Sequence, residues 1–351
     1  MRTTIQPLDA TDQALLAAVQ KQVPIDHRPF EFLGERLGLS EQECLDRIGR
    51  LKSRGIILKL SAALDGRALG YQQTLAAMKV DPSRVSGAVS ALTLHPGVWY
   101  CDQRHDPFNL WLALAAPPSD SLEQTLKVLH VLAGASETIL LPALSVYKQS
   151  GRDAEEADLP AEALATSPDD EQRVMPKPPF TEQDLRRLRL IQADLPLIEL
   201  PFAVWAEQLD TTEDELFAWL KRAEHAGYLL RFAAAVHLRA PGPFTHTRVV
   251  WQPDEAAVDA TARSMIQFRE VTDCYRHPIY SSWQHALFTI IRAESDAACL
   301  DVVQRIEQRI GATPHKHLFT LKVYKRASVK FFDPALETWW SETGSKVHID
   351  E

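Results

Sequence analysis

Two short stretches concentrate side chains that can hold an anion and move a proton. The first, VWYCDQRHDPFNLW, carries Tyr100, Arg104, His105, Phe108 and Trp111. The second, DCYRHPIYSSWQH, carries Asp273, Tyr275, Arg276, His277, Tyr280, Trp283 and His285. Arginine suits carboxylate recognition because its planar fork binds both oxygens and stays charged. Histidine is the natural proton donor near neutral pH. Tryptophan and phenylalanine supply broad apolar walls. A third stretch, FTHTRVVW, adds His246 and Arg248, which alternate on a strand and so share one face. By the same alternation Asp102 and Arg104 share a face, with Cys101 and Gln103 on the other. Basic and aromatic groups at matching places in two halves of a chain are what one pocket between two units needs.

Each of these residues also has a plain structural reading. Trp111 and Trp283 suit a packed core, because sheets bury aromatics for area alone. His105, beside Asp106-Pro107, has the setting of a solvated turn, and His277 before Pro278 is similar. Arg104 can serve simply as partner to a carboxylate. His315 and His317 form an H-x-H pair, but no third ligand stands at suitable spacing, so no metal site is expected. The chain has no nucleophile elbow, phosphate loop or dinucleotide fingerprint.

The elements that position these groups occur twice. LKSRGIILKLSAALDGRALGYQQTLAAMKVD (Leu51–Asp81) parallels LKRAEHAGYLLRFAAAVHLRAPGPFTHTRVVWQPD (Leu220–Asp254), and Val98–Ala116 parallels Val271–Ala293. Each half closes on a similar strand, LLPALSVYK (Leu140–Lys148) and LFTLKVYKR (Leu318–Arg326). A duplicated unit explains both better than chance. In each unit the periodicity predicts three helices, a two-stranded wing, then β-α-β-β-α-β. Ser40 with Glu43, and Thr212 with Glu215, have capping-box spacing, and Gly55 and Gly227 stop the helices that follow. The expected class is therefore α+β: each half a winged helix-turn-helix followed by a ferredoxin-like domain.

Between the halves, residues 151–179 hold eight acids, three bases and five prolines. Such a stretch cannot bury enough surface to offset its ordering entropy, and reads as a linker. The expected division is winged helix 1–66, ferredoxin-like domain 67–150, linker 151–180, winged helix 181–238, ferredoxin-like domain 239–332 and a tail 333–351. With 45% apolar and 24% charged residues among 351, the chain can bury a sizeable core. Its four cysteines form no C-x-x-C pair, which fits a reducing compartment. No apolar run is long enough for a membrane span, and the first residues lack the apolar core of a signal peptide. A soluble, cytoplasmic protein is expected. The net charge, 38 − 47 = −9, disfavours a nucleic-acid partner.

A winged helix followed by a ferredoxin-like domain is the layout of Lrp/AsnC-type regulators. At the motif level the chain more narrowly resembles the siroheme decarboxylases of haem d1 and alternative haem biosynthesis, in a fused two-subunit form. GYQQTLAAMKVD (Gly70–Asp81) resembles a strand of the first subunit, and Arg104 with Phe108-Asn109-Leu110-Trp111 its R-x-x-x-Y-N-x-W signature. CYRHPIYSSW (Cys274–Trp283) and LFTLKVYKRASVKFF (Leu318–Phe332) resemble segments of the second. Tyr100 and Asp273 stand where relatives have His, His277 where they have a second Arg, and Ala286 where they have Asn.

The resemblance implies that two ring acetates of siroheme lose carbon dioxide and become methyl groups, giving didecarboxysiroheme. It implies no cofactor and no metal beyond the iron the substrate brings. Arg104 and Arg276 would hold rim carboxylates. His277 or His105 would supply the proton, with Tyr100 as a substitute donor of higher ordinary pKa. Trp111, Trp283, His285, His246 and Arg248 would contact the substrate. A pocket is expected between the halves, which would form a pseudo-dimer within one chain. A paralogous decarboxylase subunit as partner and further self-association stay open. The rival readings are a DNA-binding regulator and a non-catalytic tetrapyrrole-binding paralogue. Against the regulator, the helix after Thr212 opens with Glu213, Asp214 and Glu215, where a groove-reading helix would contact bases.

Overall fold

The computed structural model describes residues 8–149, 180–236 and 245–347. The expected linker lies outside them, apart from Phe180. The described residues form two compact units, one holding the chain up to Leu69 with 180–236, the other Gly70–Gln149 with 245–347.

The first unit is built from both winged helices. Its first half contributes α1 (Ala10–Lys21), α2 (Pro29–Leu37), α3 (Glu41–Ser53) and β1 (Ile57–Leu64). Ser40 caps α3 by accepting the Glu43 amide at 3.2 Å. The Glu43 carboxylate instead meets Arg47 one turn on, so this expected capping box closes on one side only. The second half contributes α6 (Glu182–Ile191), α7 (Pro201–Gln208), α8 (Glu213–His225) and β7 (Leu229–Val236). Here the box is complete: Thr212 and Glu215 cap each other's backbone. Gly55 and Gly227 follow α3 and α8 at φ +68° and +79°, a left-handed turn that costs any other residue about 1 kcal/mol.

Among the described residues, the two-stranded wing expected in each half does not form. Each half supplies one strand, and β1 pairs antiparallel with β7 from Ile57↔Val236 to Leu64↔Leu229. After Leu64 the chain turns at once, with Asp65 accepting the Arg67 amide, so no local second strand forms. The backbone groups of β1 then find their partners on the other half. Val23 donates to Phe232 O, and Leu195 to Leu60 O, both at 2.7 Å, and these bonds tie the two winged helices together.

The second unit holds two five-stranded sheets. The first half runs β2 (Gln72–Lys79), α4 (Val85–Leu94), β3 (Val98–Arg104), β4 (Leu110–Ala116), α5 (Leu122–Ala133), β5 (Glu137–Leu141) and β6 (Ser145–Gln149). The second runs β8 (Thr245–Trp251), α9 (Val258–Met265), β9 (Val271–Arg276), β10 (Leu287–Ala293), α10 (Asp296–Ile310), β11 (His315–His317) and β12 (Thr320–Arg326). The strand orders are β12-β3-β4-β2-β5 and β11-β8-β10-β9-β6. Four strands of each sheet have the ferredoxin-like order, and the fifth comes from the other half. The segment Leu140–Lys148, expected as one closing strand, breaks at Pro142: β5 stays in its own sheet and β6 crosses to β9. Pro142 has no amide hydrogen with which to continue the ladder. Likewise β12 crosses to β3.

Helices cover the outer faces. Val85, Leu92 and Leu129 pack on one sheet; Val258, Val302 and Ile306 pack on the other. The inner faces meet through Leu75, Trp111, Trp283, Phe288 and their neighbours. The expected tail 333–351 contributes α11 (Ala335–Glu342), whose Trp339 joins the core beneath α4 and α5. Trp339 packs edge-on to the buried His95, and Trp340 donates to Asp120 at 2.7 Å. Trp339→Ala should lower the unfolding free energy by about 3 kcal/mol, read by urea denaturation. An unchanged midpoint would mean that α11 is a mere appendage.

Candidate active site

Period-2 alternation along β3 turns Tyr100, Asp102 and Arg104 toward the space between the sheets, while Cys101 joins the helix-side core. Asp102 is fully buried and accepts from four groups. Arg104 Nε reaches it at 3.1 Å, the Tyr100 hydroxyl at 2.8 Å, Thr320 Oγ1 at 3.2 Å and Arg248 Nη1 at 3.5 Å. The Arg104 and Tyr100 contacts are well formed, and those of Thr320 and Arg248 are long. Arg248 also donates to Thr320 at 3.3 Å. The Arg104 guanidinium lies over the Trp111 ring, 4.1 Å from its centroid. One carboxylate thus gathers two guanidinium groups in a water-poor layer, where losing a partner typically costs 3–5 kcal/mol. Burial pushes the Tyr100 phenol up to about 12, against the pull of Arg248. It is therefore a weak acid held to Asp102.

The second half repeats this pattern with its members exchanged. Tyr275 donates to the buried Asp273 at 2.8 Å, and Thr272 donates to the same carboxylate at 2.7 Å. Next along the face, buried His277 sits where Arg104 stands in the first half. Its Nδ1 lies 3.0 Å from Pro142 O, at the crossover between β5 and β6. A carbonyl only accepts, so Nδ1 carries the hydrogen and Nε2 faces the other way. The ring packs on Phe288, centroids 4.3 Å apart.

The structure brings Arg104, Tyr100, Arg248, His277, Trp111 and Trp283 into the layer between the sheets. It does not bring Arg276 there. That residue sits one position out of step with Tyr275 and His277, on the helix-covered face, where it pairs with Glu255 and Asp259. The second guanidinium beside Arg104 is Arg248. His105 is exposed in the turn after β3, with its amide on Phe319 O. His246 shares the face of Arg248 but lies at the exposed end of β8. Trp111 and Trp283 are closed core residues rather than open walls, 0% and 1% exposed, with their rings 5.5 Å apart. Their indole N–H groups donate to Phe108 O and His285 O. Lys316 caps this stack from the far side, over Trp283 and paired with Asp106.

Asp102 is the hub that residue-type reasoning passed over. Its signal was available: an acid two positions from both Tyr100 and Arg104 on one strand face. Thr320 left no such signal, since it arrives from the other repeat by strand exchange. Among the described residues no group of three or more His, Cys, Asp or Glu is placed to hold a metal. His315 pairs with Glu307 at 3.3 Å, while His317 stacks on Phe319.

Burial, with Lys316 adding to it, lowers His285 from 6.5 to about 4. The fold thus favours neutral His285, and the resulting stability is complete above pH 6.5 and is lost as pH falls through 4. His285→Asn should remove roughly 1 kcal/mol of the stability lost between pH 7 and pH 5, measured by urea denaturation at both values. Equal losses in variant and parent would contradict this placement.

Comparison with known proteins follows the same lines as the geometry. A family model described as AsnC-like ligand binding domain matches residues 68–148 and 244–325. These matches coincide with the two ferredoxin-like parts, so the class is a doubled winged-helix and AsnC-like ligand-binding protein. A second model, siroheme decarboxylase NirDL-like HTH domain, matches residues 12–57 and 184–229. The siroheme decarboxylase of Hydrogenobacter thermophilus is 26% identical over 93% of this chain and 97% of its own. The siroheme decarboxylase NirDL subunit of Paracoccus denitrificans is 27% identical over 91% and 96%. A crystal structure of the siroheme decarboxylase NirDL matches with a TM-score of 0.75 at 25% identity, covering 95% of this chain and 98% of that one. A second one, in co-complex with an iron-uroporphyrin III analogue, has the same fold, with a TM-score of 0.76 at 24% identity over 96% and 100%. The chain belongs to the siroheme decarboxylase family.

Proposed function

We propose that this chain decarboxylates siroheme, converting ring acetates to methyl groups and giving didecarboxysiroheme for haem d1 or alternative haem synthesis. In enzyme terms it is a carboxy-lyase. The observation that carries this reading is the pair of buried guanidiniums, Arg104 and Arg248, set on Asp102 inside a fold matched end to end by siroheme decarboxylases. A structural neighbour in this fold holds an iron-uroporphyrin analogue, a ligand of the same chemical class.

Arg104 and Arg248 hold an acetate carboxylate of the substrate and keep it ionised. The carbon–carbon bond to that carboxylate breaks, carbon dioxide leaves, and the electron pair stays on the methylene carbon. A proton delivered to this carbon completes the methyl group. His277 supplies it from Nε2 when the ring carries both hydrogens, with Nδ1–H held on Pro142 O. Tyr100 is the poorer donor, since burial keeps its proton tight and its hydroxyl is committed to Asp102. The only iron in this scheme is the substrate's. Metal analysis of the purified chain tests that part.

The winged helices serve assembly of the chain rather than DNA binding. Glu213, in the first turn of α8, is engaged by His27 of the first half at 2.8 Å, and Phe217 packs on the same ring. Arg28 reaches Glu199, and Lys52 on α3 reaches Asp194, so both third helices are tied to the opposite half. No described helix is long and apolar enough to cross a membrane.

Anaerobic incubation with siroheme, followed by mass analysis of the extracted tetrapyrrole, should show loss of one or two carbon dioxide molecules. A bound spectrum with no mass loss would replace the enzyme with a tetrapyrrole-binding paralogue, the outcome that Tyr100 and Asp273 in place of histidines would then explain. Arg104→Ala should lower kcat/KM at least about tenfold with the fold intact, the scale of a lost charge-assisted contact. Unchanged kinetics would remove Arg104 from the site.

A further inference from the structure

The duplication offers two equivalent places between the sheets, and their residues can be matched pair by pair. Register fixes the match: Lys325 lies opposite Cys101 as Lys148 lies opposite Cys274, and Arg326 lies opposite Tyr100 as Gln149 lies opposite Asp273. In the same way Arg248 pairs with Ile290 as Leu75 pairs with Ala113, and His246 pairs with Arg292 as Gln73 pairs with Ala115.

The two places have diverged in one direction. Around Asp102 stand Arg104, Arg248 and Thr320; at the corresponding positions around Asp273 stand His277, Leu75 and Ala143. One row further out, His246 and Arg292 lie side by side on the face that Arg248 shares with Ile290, and both are exposed. Arg326, also exposed, lies on the edge strand opposite Tyr100. Their counterparts are Gln73, Ala115 and Gln149, none of them basic. A run of guanidiniums leading from solvent to a buried carboxylate hub matches a ligand with several carboxylates around its rim. A counterpart without guanidiniums cannot supply that match.

We propose that Arg292 and Arg326, with His246, extend the Asp102 cluster outward as a basic rim for the peripheral carboxylates of one macrocycle per chain, and that the equivalent place at Asp273 holds no second macrocycle. The identity of the ligand class rests on the decarboxylase reading. The one-sidedness rests on the residues themselves. Arg292 and Arg326 are binding residues in this scheme, distinct from the groups that hold the departing carboxylate.

The test is a spectroscopic titration of the full-length protein with iron uroporphyrin, a polycarboxylate probe. The expected result is one ligand per chain. The Arg292→Ala/Arg326→Ala double variant should bind at least about tenfold more weakly, with a shallower dependence on salt. Gln73→Ala and Gln149→Ala should bind within about twofold of the parent. Because Arg292 and Arg326 are exposed, unchanged thermal unfolding of the double variant verifies its fold. Two ligands per chain, or unchanged affinity in the double variant, would overturn the proposal. Its fate is separable from that of the enzyme reading. Rim-dependent binding at one ligand per chain without loss of carbon dioxide from siroheme would retain the rim and discard the decarboxylase. Decarboxylation with binding indifferent to the rim would do the reverse.

Discussion

Both faces of each ferredoxin-like sheet are apolar, so the face not covered by helices must also leave water, and in this chain the two sheets bury it on each other. The exchange of closing strands locks the arrangement. Because β6 belongs to the first half but completes the second sheet, and β12 does the reverse, neither sheet is complete without the other repeat. The exchange also delivers chemistry. Thr320 reaches Asp102 as the chain enters β12, and Pro142 O meets His277 where the chain leaves β5. The polar groups of the site are thus composite in origin, with Arg104 and Tyr100 from one half and Arg248 and Thr320 from the other.

Placing charge in such a layer is costly unless each ion is met by another. Asp102 meets Arg104, Arg248, Tyr100 and Thr320 at once, and Trp111 covers the guanidinium plane of Arg104. A hub of this kind holds both guanidiniums in fixed orientation before any ligand arrives, so little ordering is left to be done on binding. The second half keeps the carboxylate–tyrosine pair but not the arginines. One place therefore carries the guanidiniums for anion recognition, while its twin has His277, held on Pro142 O, in their stead.

Much of this was legible in the sequence, and for physical reasons. Helical spacing of Leu45, Ile48 and Leu51, and the Ser40 and Thr212 caps, gave the winged helices. The repeat gave the duplication, and alternation along Tyr100–Arg104 gave the face. What was not legible depends on which strand lies beside which. Nothing local says that β1 pairs with β7, or that Pro142 divides one apparent strand between two sheets. Arg276 misled for the opposite reason. The C-Y-R-H motif resembles a ligand-binding run, yet the strict alternation of a strand turns Arg276 to Glu255 while Tyr275 and His277 turn inward. Trp111 and Trp283 sit at the expected place but serve as core, because two sheets this close exclude even flat ligands from between those rings.

The most direct measurement is a crystal structure of the chain with iron uroporphyrin bound. A ligand carboxylate within hydrogen-bond distance of both Arg104 and Arg248 is the expected result. Carboxylates gathered instead around Asp273 and His277, or a macrocycle seated on the winged-helix unit, would contradict a site organised by Asp102.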